Sequence, residues 1–247
     1  NFKIYGFEKL INCNLFKNLI LGIDPKLFNN TQIRNYFLKY NNVIYINKNL
    51  VDEIKKQKNS HNVPFFSLKK SIVGESRVSK INKISKYLKK NKSDYIFISA
   101  PENVAWLLNI RGKDGPNSPI PNSRLIISKT KKILLISEIV KCKKLINNKI
   151  LKKDQIIDID NFKREIFKLK GRNFIIDNKS CSIFFENIIK SKFKIINKED
   201  PTYKLKAIKN KIEINNMINV HIIDGVALTK FLYWIKIVNK KKIDEVE

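Results

Sequence analysis

This sequence predicts an α/β fold, a mixed sheet covered by helices and followed by one long helix, on the strength of three observations. Short β-branched and apolar runs alternate with segments of helical periodicity along most of the 247 residues, the pattern of a sheet layered with helices. Residues 124–128 and 132–137 are adjacent strand-like runs spaced for a hairpin, which places an antiparallel pair in the array and makes the sheet mixed. From Asn210 the texture changes to apolar residues at steps of three and four, the mark of a separate helical unit.

The elements follow in order. Residues 18–25 read as a strand ending in an Asp24-Pro25 turn, because proline biases the residue before it away from helix. A helix over 30–40, a strand over 43–46 and a short helix over 49–56 come next, and the polar, proline-closed stretch 58–64 marks a boundary. A second cycle opens with a helix over 79–90, the apolar run 95–99 and a helix over 101–109 with Pro101 in its first turn. Residues 111–123 gather two of the seven glycines and three of the seven prolines, and no regular structure is expected there. After the hairpin come helix 138–147, strand 155–159, helix 162–169, strand 173–177, helix 180–190 and strand 193–196. The last helix presents Met217, Val220, Ile223, Ala227, Phe231, Trp234 and Val238 as its stripe.

Composition excludes several classes. With 43% apolar and 10% aromatic residues the chain is too rich in core formers for disorder, and it is long enough for one large or two small domains. No run reaches the ~20 apolar residues of a membrane span, so no membrane partner is expected. Cys13, Cys142 and Cys181 are odd in number and far apart, which suits reduced thiols in a cytoplasmic protein. The net charge of +28 raises nucleic-acid binding as a hypothesis. The basic residues are nearly all Lys and scattered, in a chain equally loaded with Ile and Asn, without the Arg clusters and interleaved aromatics of a nucleic-acid reader. That hypothesis therefore ranks last, and no specific nucleic-acid partner is expected.

Few side chains suggest chemistry. His61 falls in the boundary stretch and His221 on the long helix, where a packing role outweighs metal ligation. Asp158 and Asp160 could share one strand face and hold a cation, but Asp160 as the cap of the next helix is the stronger reading. Asp24 and Asp177 are turn or cap residues. Arg111 and Arg124 flank the glycine- and proline-rich loop in a chain where Lys has displaced most Arg, which points to planar contacts with a substrate or interdomain carboxylate. The alternative, that Arg111 braces the loop by bonding its carbonyls, stands at even weight.

Residues 102–114, Glu-Asn-Val-Ala-Trp-Leu-Leu-Asn-Ile-Arg-Gly-Lys-Asp, resemble the D/E-x-x-A-W-L-x-N-x-R-G-x-D pattern of the creatinase-like region of Xaa-Pro aminopeptidases. Pro116, Pro119 and Ser123 continue it, and Gly22-Ile23-Asp24-Pro25, Asn49-Leu50-Val51-Asp52, Gly74-Glu75-Ser76 and Lys80 match in family order. Lys204 to Asn210, Glu213, Met217, His221, residues 224–228 and Trp234 resemble that family's entry into its catalytic domain. The chain departs from the pattern at Asn103, Lys113 and Arg124, the last standing where an aromatic is frequent.

The resemblance implies the C-terminal part of a first creatinase-like domain over 1–62, a second such domain over 63–200, these domains being mixed sheets flanked by helices, and the first helices of a truncated pita-bread metallopeptidase domain over 201–247. It implies removal of the N-terminal residue before proline from peptides, two divalent metal ions, expected to be manganese, and a homodimer. The family's metal ligands, two Asp, one His and two Glu, match no position here, and His221 is not one of them. The chain starts at Asn1 without an initiator Met and stops at Glu247 in a charged run, so it is expected to be a fragment that binds no metal and is inactive alone. Arg111, Trp106 and Asp114 are the candidates for substrate or interdomain contact. The alternative function is a non-catalytic creatinase-like interaction module.

Overall fold

The computed structural model describes residues 17–46, 48–54, 63–115 and 117–238. Strand β1 (Ile20–Ile23) and β2 (Asn42–Tyr45) pair in parallel, connected through α1 (Asn30–Gln32) and a π-helical turn over Ile33–Phe37. Asn29 starts α1 with a reciprocal capping box to Gln32. Ile33 and Phe37 then turn inward onto Ile23, so the expected helix over 30–40 is shortened and widened to seat those two side chains. Helix α2 (Leu50–Ile54) follows, and of the expected boundary stretch 58–64 all but Val63 and Pro64, His61 included, lies outside the described residues.

The chain resumes with β3 (Phe66–Ser67), α3 (Lys70–Val73), α4 (Arg77–Lys90), β4 (Tyr95–Ile98), α5 (Pro101–Leu108) and β5 (Ile110–Arg111). Beyond these come β6 (Arg124–Ser128), β7 (Ile133–Ile136), α6 (Lys143–Asn147), β8 (Ile156–Ile157), α7 (Phe162–Lys168), β9 (Asn173–Ile176), α8 (Ile183–Lys190) and β10 (Lys194–Asn197). Six strands form one mixed sheet in the order β10-β9-β4-β6-β7-β8. The expected hairpin is its β6-β7 pair, antiparallel with Leu125 opposite Leu135, while β4, β9 and β10 run parallel.

Side chains alternate across this sheet, yet both faces are apolar because helices cover both. Ile96, Ile98, Leu125, Leu135 and Ile175 face α4, α5 and α6. Phe97, Ile126, Ile136, Phe174 and Ile176 face α7 and α8, where Phe97, Phe162 and Phe185 form a ring cluster with centroids 4.9 to 5.7 Å apart. The β1-β2 unit rests on the start of α8: the Ile183 amide donates to the Phe28 carbonyl at 2.9 Å and the Phe184 amide to Pro25 at 3.0 Å.

One expectation is corrected in the segment 111–123. Arg111 is not in irregular chain but in β5, antiparallel to β3 with Phe66 opposite it. The loop after it folds back tightly, the Gly112 amide donating to the Pro119 carbonyl at 2.9 Å. A Cβ at Gly112 would stand 2.8 Å from the Pro121 Cα, so no larger residue permits that approach.

Helix α9 (Thr202–Ala207) leads into α10 (Lys211–Ile237), which has no buried residue. The apolar stripe expected on it, except Val238, which falls just past the helix end and is half-buried, is part of a coat that also includes Ile218, Ile222, Leu228, Leu232 and Tyr233, all exposed. His221 is exposed as well, so it does not pack, because nothing among the described residues lies against that part of α10. Among the described residues no helix is long and apolar enough to cross a membrane.

Candidate functional site

The motif residues converge where α3, α4, α5 and α10 meet. Helix α4 begins at Ser76, whose hydroxyl accepts from the Ser79 amide at 3.2 Å, and this aims Lys80 inward one turn later. Helix α5 ends at Asn109 in the left-handed conformation, φ 56°, which a short amide side chain tolerates. The Lys80 ammonium donates to the Asn109 Oδ1 at 2.8 Å and the Trp106 carbonyl at 2.9 Å, and stands 3.8 Å from the centre of the Trp106 ring. Lys80 is buried, and its burial pulls its pKa down to about 8 against the opposing pull of Glu213 and Glu75.

Helix α10 is bolted to this cluster at its first turn. Asn210 caps it by accepting from the Ile212 and Glu213 amides, and the Asn210 amide in turn donates to the Glu213 carboxylate at 2.9 Å. The other oxygen of Glu213 accepts from the Trp106 Nε1 at 3.2 Å. Asn210 and Asn216 donate their side-chain amides to the Val73 and Ile72 carbonyls of α3, both at 2.9 Å. Gly74 allows this contact: its φ is +75°, and a Cβ there would lie 2.2 Å from the Asn210 Oδ1. Asn210 and Asn216 were not among the sequence candidates, although Asn210 followed three residues later by Glu213 is a legible capping box.

Trp106 and Arg111 line one cavity of about 310 Å³ with Lys80, Glu213 and Met217. The Arg111 guanidinium donates to the Ile110 carbonyl at 2.8 Å and the Ala105 carbonyl at 3.3 Å, which is the bracing geometry considered for it. Asp114 is not brought to this cavity. One of its oxygens accepts from the Asn122 amide at 2.6 Å and the other pairs with buried Lys141 at 2.9 Å, closing the proline-rich loop. Arg124 is also elsewhere, at the opposite side of α5's sheet layer against Phe185, so the two arginines do not share one contact.

The carboxylates considered for metal binding have local partners. Asp158, not Asp160, is the cap, accepting from the Asp160 amide at 3.3 Å, because a 3-10 turn over Ile159–Asn161 precedes α7. Asp177 accepts from the Lys179 and Asp200 amides, both at 3.0 Å. Among the described residues no group of three or more His, Cys, Asp or Glu could hold a metal ion, so these residues do not fit a metal pair.

A layered mixed sheet, with an arginine-glycine loop and a long helix pinned to it by tryptophan, defines a class. Residues 56–213 match the model of the creatinase/prolidase N-terminal domain, and the chain belongs to that family. Within it the resemblance runs to the Xaa-Pro aminopeptidases. The chain is 30% identical over 213 residues to Xaa-Pro aminopeptidase 1 of Dictyostelium discoideum, covering 80% of this chain and 32% of that protein. It is 28% identical over 251 residues to Xaa-Pro aminopeptidase ApepP of Drosophila melanogaster, covering 94% and 40%. In fold it matches the crystal structure of X-prolyl aminopeptidase from Caenorhabditis elegans, described as a cytosolic enzyme with a di-nuclear active site, with TM-score 0.74 and 22% identity over 94% of this chain and 40% of that one. The chain thus spans 32% to 40% of the length of these relatives.

Proposed function

We propose that this chain is the front part of a cytoplasmic Xaa-Pro aminopeptidase, a homodimeric hydrolase that removes the N-terminal residue before proline from peptides. In this reading 1–62 is the C-terminal part of one supporting domain, 63–200 is a second, and 201–247 enters the catalytic domain. The observation that carries it is α10. A helix apolar on all sides is one that a folded protein buries, and here it is fastened at its first turn, through Asn210, Glu213 and Trp106, while exposing Ile222, Ile223, Phe231 and Leu232. The relatives' greater length supplies a domain to cover it. Trp106 orients that domain through Glu213, Arg111 is the candidate for reaching toward the peptide or a neighbouring subunit, and Asp114 holds the loop that follows Arg111.

Hydrolysis would use two divalent metal ions, manganese by expectation, held outside the residues described here. The test is to read the gene beyond the codon for Glu247. Two Asp, one His and two Glu are expected in the family's order, and the protein carrying them is expected to cleave a Xaa-Pro peptide when supplied with manganese while the 247-residue chain does not. A reading frame that closes near Glu247 would overturn this reading and leave a creatinase-like interaction module.

A further inference from the structure

A second cleft lies at the opposite end of the molecule's logic, at the carboxyl ends of the parallel strands. After β4 the chain passes to α5 on one face of the sheet, and after β9 it passes to α8 on the other. Adjacent parallel strands whose connections leave to opposite faces part at their carboxyl ends, and such crevices are where open α/β sheets take ligands. Here the crevice is marked by Ser99, just beyond β4, and Ser180, just beyond β9, whose hydroxyls share a hydrogen bond of 2.7 Å. The segment 26–32 of the β1-β2 unit closes it into a cavity of about 250 Å³.

The lining of this cavity is one-sided in charge. Lys26, Arg124 and Lys179 contribute three cations and no acid lines it. Arg124 is half-buried with its guanidinium 5.3 Å from the centre of the Phe185 ring, and it donates to the neutral Asn122 Oδ1 at 2.9 Å. It forms no ion pair among the described residues, although a desolvated guanidinium is costly without an acceptor of opposite charge. Ser182 is also in the lining, at the start of α8 without capping it, and its hydroxyl is buried without a hydrogen-bond partner among the described residues. A guanidinium without a charged partner and a hydroxyl without a hydrogen-bond partner thus stand beside Lys26 and Lys179 around one small space.

We propose that this cleft is a binding site for a small oxyanion, the carboxylate or phosphate group of a small solute, with the Arg124 fork as its principal contact and the Ser182 hydroxyl and Lys179 as its supports. Planar recognition of an oxyanion is what a guanidinium supplies and an ammonium does not. The site is separate from the Trp106 cavity and does not depend on the aminopeptidase reading.

The full chain contains six arginines, so its arginine Nε–Hε signals form a short NMR spectrum in which the Arg124→Lys variant identifies one. Inorganic phosphate and acetate are titrated separately, with sodium chloride holding the ionic strength constant. The expected result is saturable movement of the Arg124 signal alone, with a Kd on the order of 1 mM for at least one of the two probes. Saturation by phosphate only assigns a phosphate-bearing solute, and by acetate only a carboxylate. Ser182→Ala and Lys179→Met are expected to weaken binding roughly threefold or more, the scale of a single lost hydrogen bond. Lys190→Met, the same charge change at the far end of α8, is expected to leave it unchanged. Linear drift of all six signals with both probes, or equal weakening by Lys179→Met and Lys190→Met, would mean that the anions follow net charge, and the proposal fails.

Discussion

In β4, Ile96, Phe97 and Ile98 are 1%, 1% and 0% exposed, whereas Ile222, Ile223 and Val226 of α10 are 62%, 71% and 52% exposed. The two stretches are written in the same alphabet and end in opposite environments. In the sheet, each apolar residue has its own helix layer to face, so a continuous apolar run is satisfied within the chain. Helix α10 meets α3 and the Trp106 cluster near its start, and its apolar coat has no layer over it among the described residues. Apolar patterning therefore states that burial is required and does not state what provides it.

The contrast is broken most directly by truncating one aromatic in each region. Phe162 is 0% exposed and wedged between Phe97 and Phe185, so Phe162→Ala is expected to lower unfolding free energy by about 3–5 kcal/mol through lost transfer energy and an unfilled cavity. Phe231 is 51% exposed and touches Trp234 on its own helix, so Phe231→Ala is expected to change it by only about 0.5 kcal/mol or less. Urea unfolding of the chain measures both. Equal losses would mean that α10 is covered in solution, and the distinction drawn above would collapse.

A smaller effect separates what is polar in the sheet from what is apolar. Asp94, in the turn before β4, accepts from the Lys129 ammonium at 2.6 Å and from the Arg172 and Asn173 amides at 2.7 and 3.0 Å, tying the β6-β7 turn and the start of β9 to β4. Burial alone would raise its pKa, but these donors outweigh it and hold the carboxyl at about 2, below the ordinary 3.8. A folded-state value below the unfolded one means stability that is present above 3.8 and lost as pH falls through 2. Asp94→Asn is expected to cost about 1–3 kcal/mol near neutral pH, with the gap from the parent chain closing as pH falls through that window. A gap that stays constant down to pH 2 would assign the loss to packing.

The elements that could be read from sequence are those long enough to show a period. The run 95–99, the hairpin 124–137 and the helix from Asn210 all appear as expected, because each carries several residues in one pattern. Strands β3 and β5 are two residues each and carry no period, and their pairing joins Phe66 to Arg111 across 45 positions of sequence (111 − 66), so no local pattern announces it. The same limit governed the arginines. Proximity in sequence placed Arg111 and Arg124 on one loop, while β5 and β6 carry them to separate cavities. Trp106 and Arg111 were legible as a motif, but their shared cavity depends on Glu213 and Asn216 arriving from a helix more than a hundred residues later.

The smallest expected effect tests the seam itself. Trp106→Phe keeps an aromatic ring beside the Lys80 ammonium and removes the indole Nε1–H that bonds Glu213 at 3.2 Å, together with part of the ring's bulk. Loss of one hydrogen bond to a carboxylate costs about 1.5–3 kcal/mol where both partners stay dry, and less here, because the cavity beside them admits water to the freed Glu213 oxygen. The global unfolding midpoint should therefore move little. The amides of residues 212–216 are expected to exchange hydrogen severalfold faster in Trp106→Phe, while those of β4 keep their protection, since local opening of the first turn of α10 leaves the sheet's two packed faces intact. If β4 and α10 lose protection together, the helix is part of the sheet's cooperative unit. Its apolar coat would then be supported through the core, and the bolt at Trp106 would not be what holds it.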